Sequence, residues 1–420
     1  MNPTELAMLH LLDCAIREKH ADPALFEAID WEAMFMLAQQ HKIDGLLLDT
    51  ICALPSEKQP EENVLAAWQS SAMLTVMAQT LLVEQLFLLL SAFESQGLRA
   101  VVLKGVALKP LYPDPDMRTM SDADVLVAQE SFAAACQVME SAGYTLQATE
   151  PFVSIYKGAD GLLVELHEKL FDQTAYGFLS RLDESSMFPI ADARREAVYG
   201  GEAWVLPPAQ HAMFMLCHMA KHMITTGFGL RQTTDFMLFI EANDKNIEWD
   251  AFWQQAALLG LSGFAEALLT LSTQYFSLPK GEWAQGVSFD AAAAEALALD
   301  LLDAGVFGNR TEERRRSAAV VYRSFEVEDG DSGKIRRALF PSAVTLKAPY
   351  LYARKYRFLL PAAWVHRFFN YGLSVLTGKA KYDETAKGMQ IADERLLLLG
   401  RLGLRDDSIE GGKSHGETER

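Results

Sequence analysis

Apolar residues recur at helical spacing through the first 95 positions, in TELAMLHLLDCAIREK, in WEAMFMLAQQHKIDGLLLDTICAL and in LAAWQSSAMLTVMAQTLLVEQLFLLLSAFESQ. They predict three helical stretches, the second and third separated by Leu54-Pro55-Ser56 and the polar run EKQPEEN. After Gly97 the period shortens. LRAVVLKG (98–105) has the β-branched run of a buried strand, SDADVLV (121–127) alternates, and GYTLQA, FVSIYKG and GLLVELH (161–167) read as strands broken by Gly, Pro and Asp. Between them SFAAACQVMESAG (131–143) is a helix closed by Gly143. Helical spacing resumes at Pro207-Pro208, where prolines suit a helix start, and continues to about residue 400 with a polar break at EDGDSG (328–333). The pattern predicts an α+β protein: a helical region over 1–96, a small mixed-sheet α/β core over 97–205, a helical domain over 206–327, a helical segment over 328–404, and a disordered tail over 405–420.

Composition is that of an ordinary globular protein, with 420 residues, 50% of them hydrophobic and 22% charged. Cys14, Cys52, Cys136 and Cys217 lack metal-ligand spacing and sit in apolar surroundings, which points to a reducing, cytoplasmic home and not to a disulfide scaffold. Apolar runs such as FLLPAAWV fall short of the ~20 residues of a spanning helix, and MNPTELAMLH lacks the basic flank of a signal peptide, so neither a membrane span nor an export signal is expected. The net charge of −18 disfavours wrapping a nucleic-acid backbone. That charge is uneven: between Gly333 and Lys381 stand ten basic residues and no acidic one, interleaved with nine aromatics, which leaves −28 for the remainder. Such a segment is either a helical pair with aromatics as core and cations facing the acidic body, or a surface for an anionic membrane, a polyanion or a partner.

The chemistry concentrates in VVLKGVALKPLYPDPDMRTMSDADVLV (101–127). A strand ending at Lys104-Gly105 precedes what reads as a short helix whose free N–H groups would cradle an anion, with Gly105 letting phosphates approach the backbone. Further on, Asp122 and Asp124 project from one face of a strand, because side chains alternate with a period of two. Two carboxylates aimed together repel unless a cation sits between them, and Mg2+ favours one or two carboxylates completed by water and phosphate oxygens. Glu165 and His167 share the face of a later strand opposite Val164 and Leu166, and offer a third acid. Asp114 and Asp116 read as turn residues beside Pro113 and Pro115.

These residues resemble a known pattern. A Gly after a buried strand, a D-x-D on a second strand and an acid on a later one are similar to the nucleotidyltransferase superfamily that includes DNA polymerase beta and the aminoglycoside nucleotidyltransferases. The wording LKG (103–105), Arg118 before D-x-D, E-L-H (165–167), and H-x-x-x-H with R-x-x-x-D (His218, His222, Arg231, Asp235) resembles more closely the bacterial uncharacterised nucleotidyltransferase family. The resemblance runs over roughly 30–370, including GVFG at 305–308 and the Phe-Pro at 340–341. It implies that Asp122, Asp124 and Glu165 hold two Mg2+ ions, that Lys104 and the Gly105 backbone, with Ser121, hold the nucleoside triphosphate, and that Arg118 neutralises phosphate charge. It further implies transfer of a nucleoside monophosphate to a hydroxyl-bearing acceptor with release of pyrophosphate. One position departs from the superfamily: Val106 stands where Ser or Gly usually follows the glycine, removing a hydroxyl contact to phosphate.

His211, His218 and His222 fall at i, i+7 and i+11, on one face of a helix. Three readings stand side by side: a zinc site, a polar stripe at a domain interface, or a cleft wall on which His167, His218, His222, Arg231 and Asp235 meet nucleotide or acceptor. Arg231 and Asp235, four apart, also make a good helical ion pair. The rival to an enzyme is a non-catalytic scaffold that keeps the fold and uses the basic aromatic segment for a partner.

Overall fold

The computed structural model describes residues 1–173 and 177–305, isolated positions between 311 and 350, and residues 352–376 and 382–405. Residues 306–308 of GVFG, the EDGDSG stretch and the tail 406–420 lie outside the described residues. By internal packing the chain divides into two compact units, one of residues 1–310 with 397–420, the other of residues 311–396.

The first unit opens with helices α1 (Pro3–Ile16), α2 (Trp31–His41), α3 (Asp44–Cys52) and α4 (Glu62–Ser95). The second expected stretch is thus two helices, because Lys42 takes a left-handed conformation (φ 57°) that ends α2. Helix α4 is the spine. Val83, Leu86, Leu89, Leu90 and Phe93 pack on one face of the sheet together with Ala135, Val138 and Met139 of α5 (Phe132–Ser141). Its 34 residues are apolar enough to cross a membrane by length and composition alone, and Met73, Met77, Leu81 and Leu88 are exposed.

Seven strands form one mixed sheet in the order β3-β4-β5-β2-β1-β7-β6. They are β1 (Val101–Val102), β2 (Asp122–Leu126), β3 (Thr145–Glu150), β4 (Val153–Lys157), β5 (Leu163–His167), β6 (Arg194–Val198) and β7 (Gly201–Val205). Strand β2 runs parallel to β5 and antiparallel to β1, and its register pairs Asp124 with Glu165. The β6–β7 hairpin was not expected from the sequence, though AVYGGEAWV carries its signal: alternating apolar residues about a Gly-rich two-residue turn. A Cβ on Gly200 would stand 2.7 Å from Val83 of α4, so the hairpin seats only with glycine there.

The segment after β1 corrects an expectation. Gly105–Ala107 and Lys109–Leu111 are single 3-10 turns and not an α-helix, and the Ala107 N–H already donates to Lys104 O. No helix dipole of useful length is aimed at the site from here. Beyond the short α6 (Glu184–Met187), α7 (Pro208–Ile224) starts at the second of the two prolines as expected, and α8 (Leu230–Asn243) follows. Helices α9 (Trp249–Leu259), α10 (Ser262–Tyr275) and α11 (Ala291–Ala304) complete the helical part of this unit up to Gly305.

In the second unit, Leu346, Ala353 and Ala363 form a small core against which Tyr350, Tyr352 and Leu360 pack. Phe358 and Phe369 are exposed, so not every aromatic of the basic segment is core.

Candidate active site

The sheet face opposite α4 carries a cavity of about 470 Å3. Asp122, Asp124, Glu165 and His167 reach it from β2 and β5, Lys104 and Gly105 from the end of β1, His218, Lys221 and His222 from α7, and Arg231 and Asp235 from α8. The alternation on β2 and β5 explains the first group: Val125, Val164 and Leu166 point into the core, so their neighbours point out of it. Gly105 adopts φ +62°, a conformation that other residues enter with strain, and Met120 Sδ lies 3.5 Å from where its Cβ would be.

Asp124 is the hub. Lys104 Nζ lies 2.9 Å from Asp124 Oδ2, and His167 Nε2 lies 3.4 Å from Asp124 Oδ1 and 3.7 Å from Glu165 Oε2. Burial raises the Asp124 pKa, but Lys104 and then His167 more than offset this and hold it well below the ordinary carboxylate value. Burial likewise works against the charge on Lys104 and on His167. The carboxylates win in both, lifting Lys104 above its ordinary value and His167 to about 9. Asp122 has the opposite fate: burial, then repulsion from Asp124, raises its pKa, and Ser121 Oγ donates to its Oδ1 at 2.9 Å. The two aspartates share a cavity yet differ in protonation tendency, a separation typical of working sites.

The donor set fits a divalent cation. Ligand atoms of Asp124, Glu165 and His167 come within 4.8 Å of one another, and neither buried ring nitrogen of His167 makes a hydrogen bond. An imidazole aimed at two carboxylates without a formed hydrogen bond is what a metal position looks like. Asp122 is outside that trio, and His167, assigned from sequence only to substrate, is inside it.

The sequence-based roles of Arg118 and Asp235 need correction. Arg118 donates to Asp235 from Nε (3.0 Å) and Nη2 (2.6 Å), with both side chains buried, and the Tyr112 hydroxyl donates to Asp235 at 2.8 Å. The ion pair of α8 is therefore Arg118–Asp235 and not the helical Arg231–Asp235 pair, and Arg118 is committed to Asp235 instead of standing ready for phosphate. Arg231 instead donates from Nη1 to Thr119 O and Oγ1, and its buried Nε has no partner.

The histidines divide. His211 donates from Nε2 to the Leu103 carbonyl below the site, so the three imidazoles do not converge as a zinc site would require. His218 and His222 do reach the cavity. Lys104, an ammonium, can only donate, so His218 Nε2 accepts from it at 3.1 Å, and His222 Nε2 lies 2.9 Å from the same nitrogen. Burial, and then Lys104, keeps both imidazoles neutral, His222 being pushed down to about 3.

Three cations were not anticipated. Lys169, two residues beyond His167, and Lys221, between the paired histidines, line the cavity. Lys109 is fully buried and donates to Pro115 O (2.9 Å) and Arg118 O (2.7 Å), tying down the PDPDMR loop. Burial, then Arg118, lowers its pKa to about 7. The signal was present in LKPLYPDPD: a lone lysine one residue before a proline-punctuated loop has carbonyls within reach.

Paired strand carboxylates thus stand beside a lysine and a left-handed glycine in one cavity. The sequence model of the uncharacterised nucleotidyltransferase family matches residues 27–277, and the chain belongs to that family. The match ends short of residue 370, to which the resemblance was expected to run, and GVFG and Phe-Pro lie beyond it. No curated protein matches the chain. Among solved structures, the antibiotic-resistance factor ANT(2'')-Ia is similar over 43% of this chain and 96% of its own, at 13% identity and a TM-score of 0.33.

Proposed function

We propose that the protein transfers a nucleoside monophosphate from a nucleoside triphosphate to a hydroxyl group, in a reaction that depends on Mg2+ or Mn2+. One observation carries the reading: Asp122, Asp124 and Glu165 lie on two parallel strands in one cavity that also holds Lys104, Lys169, Lys221 and Arg231. A bound divalent ion, held by Asp124, Glu165 and His167 with Asp122 beside them, supplies charge neutralisation for the phosphates. The imidazole suits Mn2+ at least as well as Mg2+.

The residues divide the remaining work. The four cations bind and orient the triphosphate chain, and the neutral His218–His222 pair fixes Lys104 from behind. The acceptor oxygen attacks the α-phosphorus, the bond to the β-phosphate bridging oxygen breaks, and pyrophosphate leaves with that electron pair. Asp122, whose pKa is raised by burial and by Asp124, is suited to take the hydroxyl proton. Lys104 and His167 supply the positive charge that Asp124 needs, and His167 would have to give up its proton to serve as a metal ligand.

The second reading, a non-catalytic scaffold, draws on the Lys104–Asp124 contact and on Val106. Titration calorimetry with each triphosphate and Mg2+ or Mn2+ separates the two. The enzyme gives metal-dependent heat, and incubation with α-phosphate-labelled triphosphates and cell extract labels an acceptor. The Asp122→Asn/Asp124→Asn variant should keep its fold and lose both signals; unchanged turnover in that variant sinks the assignment.

A further inference from the structure

A second cavity, of about 440 Å3, adjoins the first. It lies between the end of α2, the start of α3, one face of α4 and the loop entering β2, and it shares Met120, Ser121 and Arg231 with the carboxylate cavity. Its α4 wall is Ser71, Leu74, Thr75, Ala78 and Gln79, at i, i+3, i+4, i+7 and i+8, so three polar side chains of a largely apolar helix are turned to it beside Leu74 and Ala78.

This wall is built. Gln79 clamps the Met120 backbone in both directions, donating to its carbonyl (2.9 Å) and accepting from its N–H (2.7 Å). Ser71 Oγ donates to Asp44 Oδ2 at 2.6 Å. Arg231, nine-tenths buried, lines the junction of the two cavities, with its Nε unpartnered.

The two cavities differ in charge. The carboxylate cavity holds Lys104, Lys169 and Lys221, whereas the second, apart from the shared Arg231, offers one exposed lysine, Lys42, and one acid, Asp44, among amides, hydroxyls and the apolar Leu74, Ala78 and Met120. A triphosphate belongs with the cations. The second cavity suits a neutral molecule with many hydroxyls, which amides, hydroxyls and a carboxylate can each meet with hydrogen bonds.

Position supports the same assignment. Along β2 and β5 the row of polar side chains runs from Ser121 and Asp122 to Asp124 with Glu165 and on to His167. The second cavity includes Ser121 in its lining but not His167 or Lys169. In-line displacement requires the entering hydroxyl and the departing pyrophosphate on opposite sides of the α-phosphorus, so acceptor and triphosphate need separate, adjoining compartments.

We propose that this second cavity binds a neutral, polyhydroxylated acceptor of sugar size and presents one of its hydroxyls to Asp122. The acceptor role rests on the nucleotidyl-transfer reading above; the binding of polyols does not.

The test uses the full chain, with methyl glycosides and myo-inositol as probes in saturation-transfer NMR and with calorimetry for triphosphate and Mg2+. Thr75→Trp and Ala78→Phe fill the cavity from half-buried and exposed helix positions, and circular dichroism checks that each folds. At least one probe should show contact with the wild type. That signal should fall at least about tenfold in both variants while the triphosphate Kd stays within about twofold. Absence of probe contact with the wild type, or its survival in both filled variants, overturns the proposal. A loss of triphosphate affinity on filling overturns it too, because the cavity would then hold nucleotide. If the wild type binds a probe but no triphosphate, the nucleotidyl-transfer reading fails while the polyol site stands.

Discussion

Replacing Asp235 by alanine should destabilise the first unit by about 4 kcal/mol, because it strands a buried charge. Arg118 and Asp235 are 3% and 4% exposed, and two hydrogen bonds join them. Without the carboxylate the guanidinium stays inside with no acid in contact, and the Tyr112 hydroxyl keeps only Thr234, at 2.9 Å. One-sided loss of such a pair costs about 3–5 kcal/mol, whereas replacing both partners by apolar residues of similar size costs far less. Urea unfolding of Asp235→Ala and of Arg118→Met/Asp235→Leu, followed by fluorescence, gives the comparison. The double variant should return to within about 2 kcal/mol of the wild type, with the single variant well below it. Amide exchange at Met117–Ser121 should quicken in the single variant, since the pair holds the loop that delivers Asp122. A loss below about 1 kcal/mol in Asp235→Ala, or a double variant no better than the single, would falsify the account of this pair.

Two further predictions concern charge. Burial holds His211 at about 4 against an ordinary 6.5, so the unfolded chain binds the extra proton and stability falls as pH drops from 6.5 towards 4, by about 3 kcal/mol at the end. His211→Gln, which keeps a donor for Leu103 O, should remove that slope in acid unfolding; an unchanged slope counts against it. Lys104→Met leaves Asp124 with His167 as its nearest cation, so the variant should melt lower than the wild type without metal and gain more than the wild type from added Mn2+. Equal metal-induced Tm shifts in the two proteins would show that Lys104 does not stand in for a cation.

Legibility followed the range of the forces involved. The β2–β5 carboxylate face was readable from alternation alone, because Val125, Val164 and Leu166 leave their neighbours only one side of the sheet. The α7 histidines were placed on one face by the same kind of periodicity, and two of them reach the cavity. What failed was pairing across the chain. Arg231 and Asp235 are four residues apart on a helix, the spacing of a local ion pair, yet Asp235 takes Arg118 from 117 residues away. The loop 112–121 is pinned by Lys109 and Gln79 so that Arg118 arrives already desolvated, where a two-bond fork outweighs anything an exposed helical pair offers. With Asp235 taken, Arg231 is left for Thr119 and the junction of the two cavities. A local motif, R-x-x-x-D, thus marks two residues that line one cavity and misstates their relation, because the partner that decides it is set by tertiary packing. The same reasoning explains why the second cavity was invisible in the sequence. Its wall includes Ser71, Thr75 and Gln79 of a helix whose hydrophobic period was already accounted for, and only the fold brings them to the serine before D-x-D.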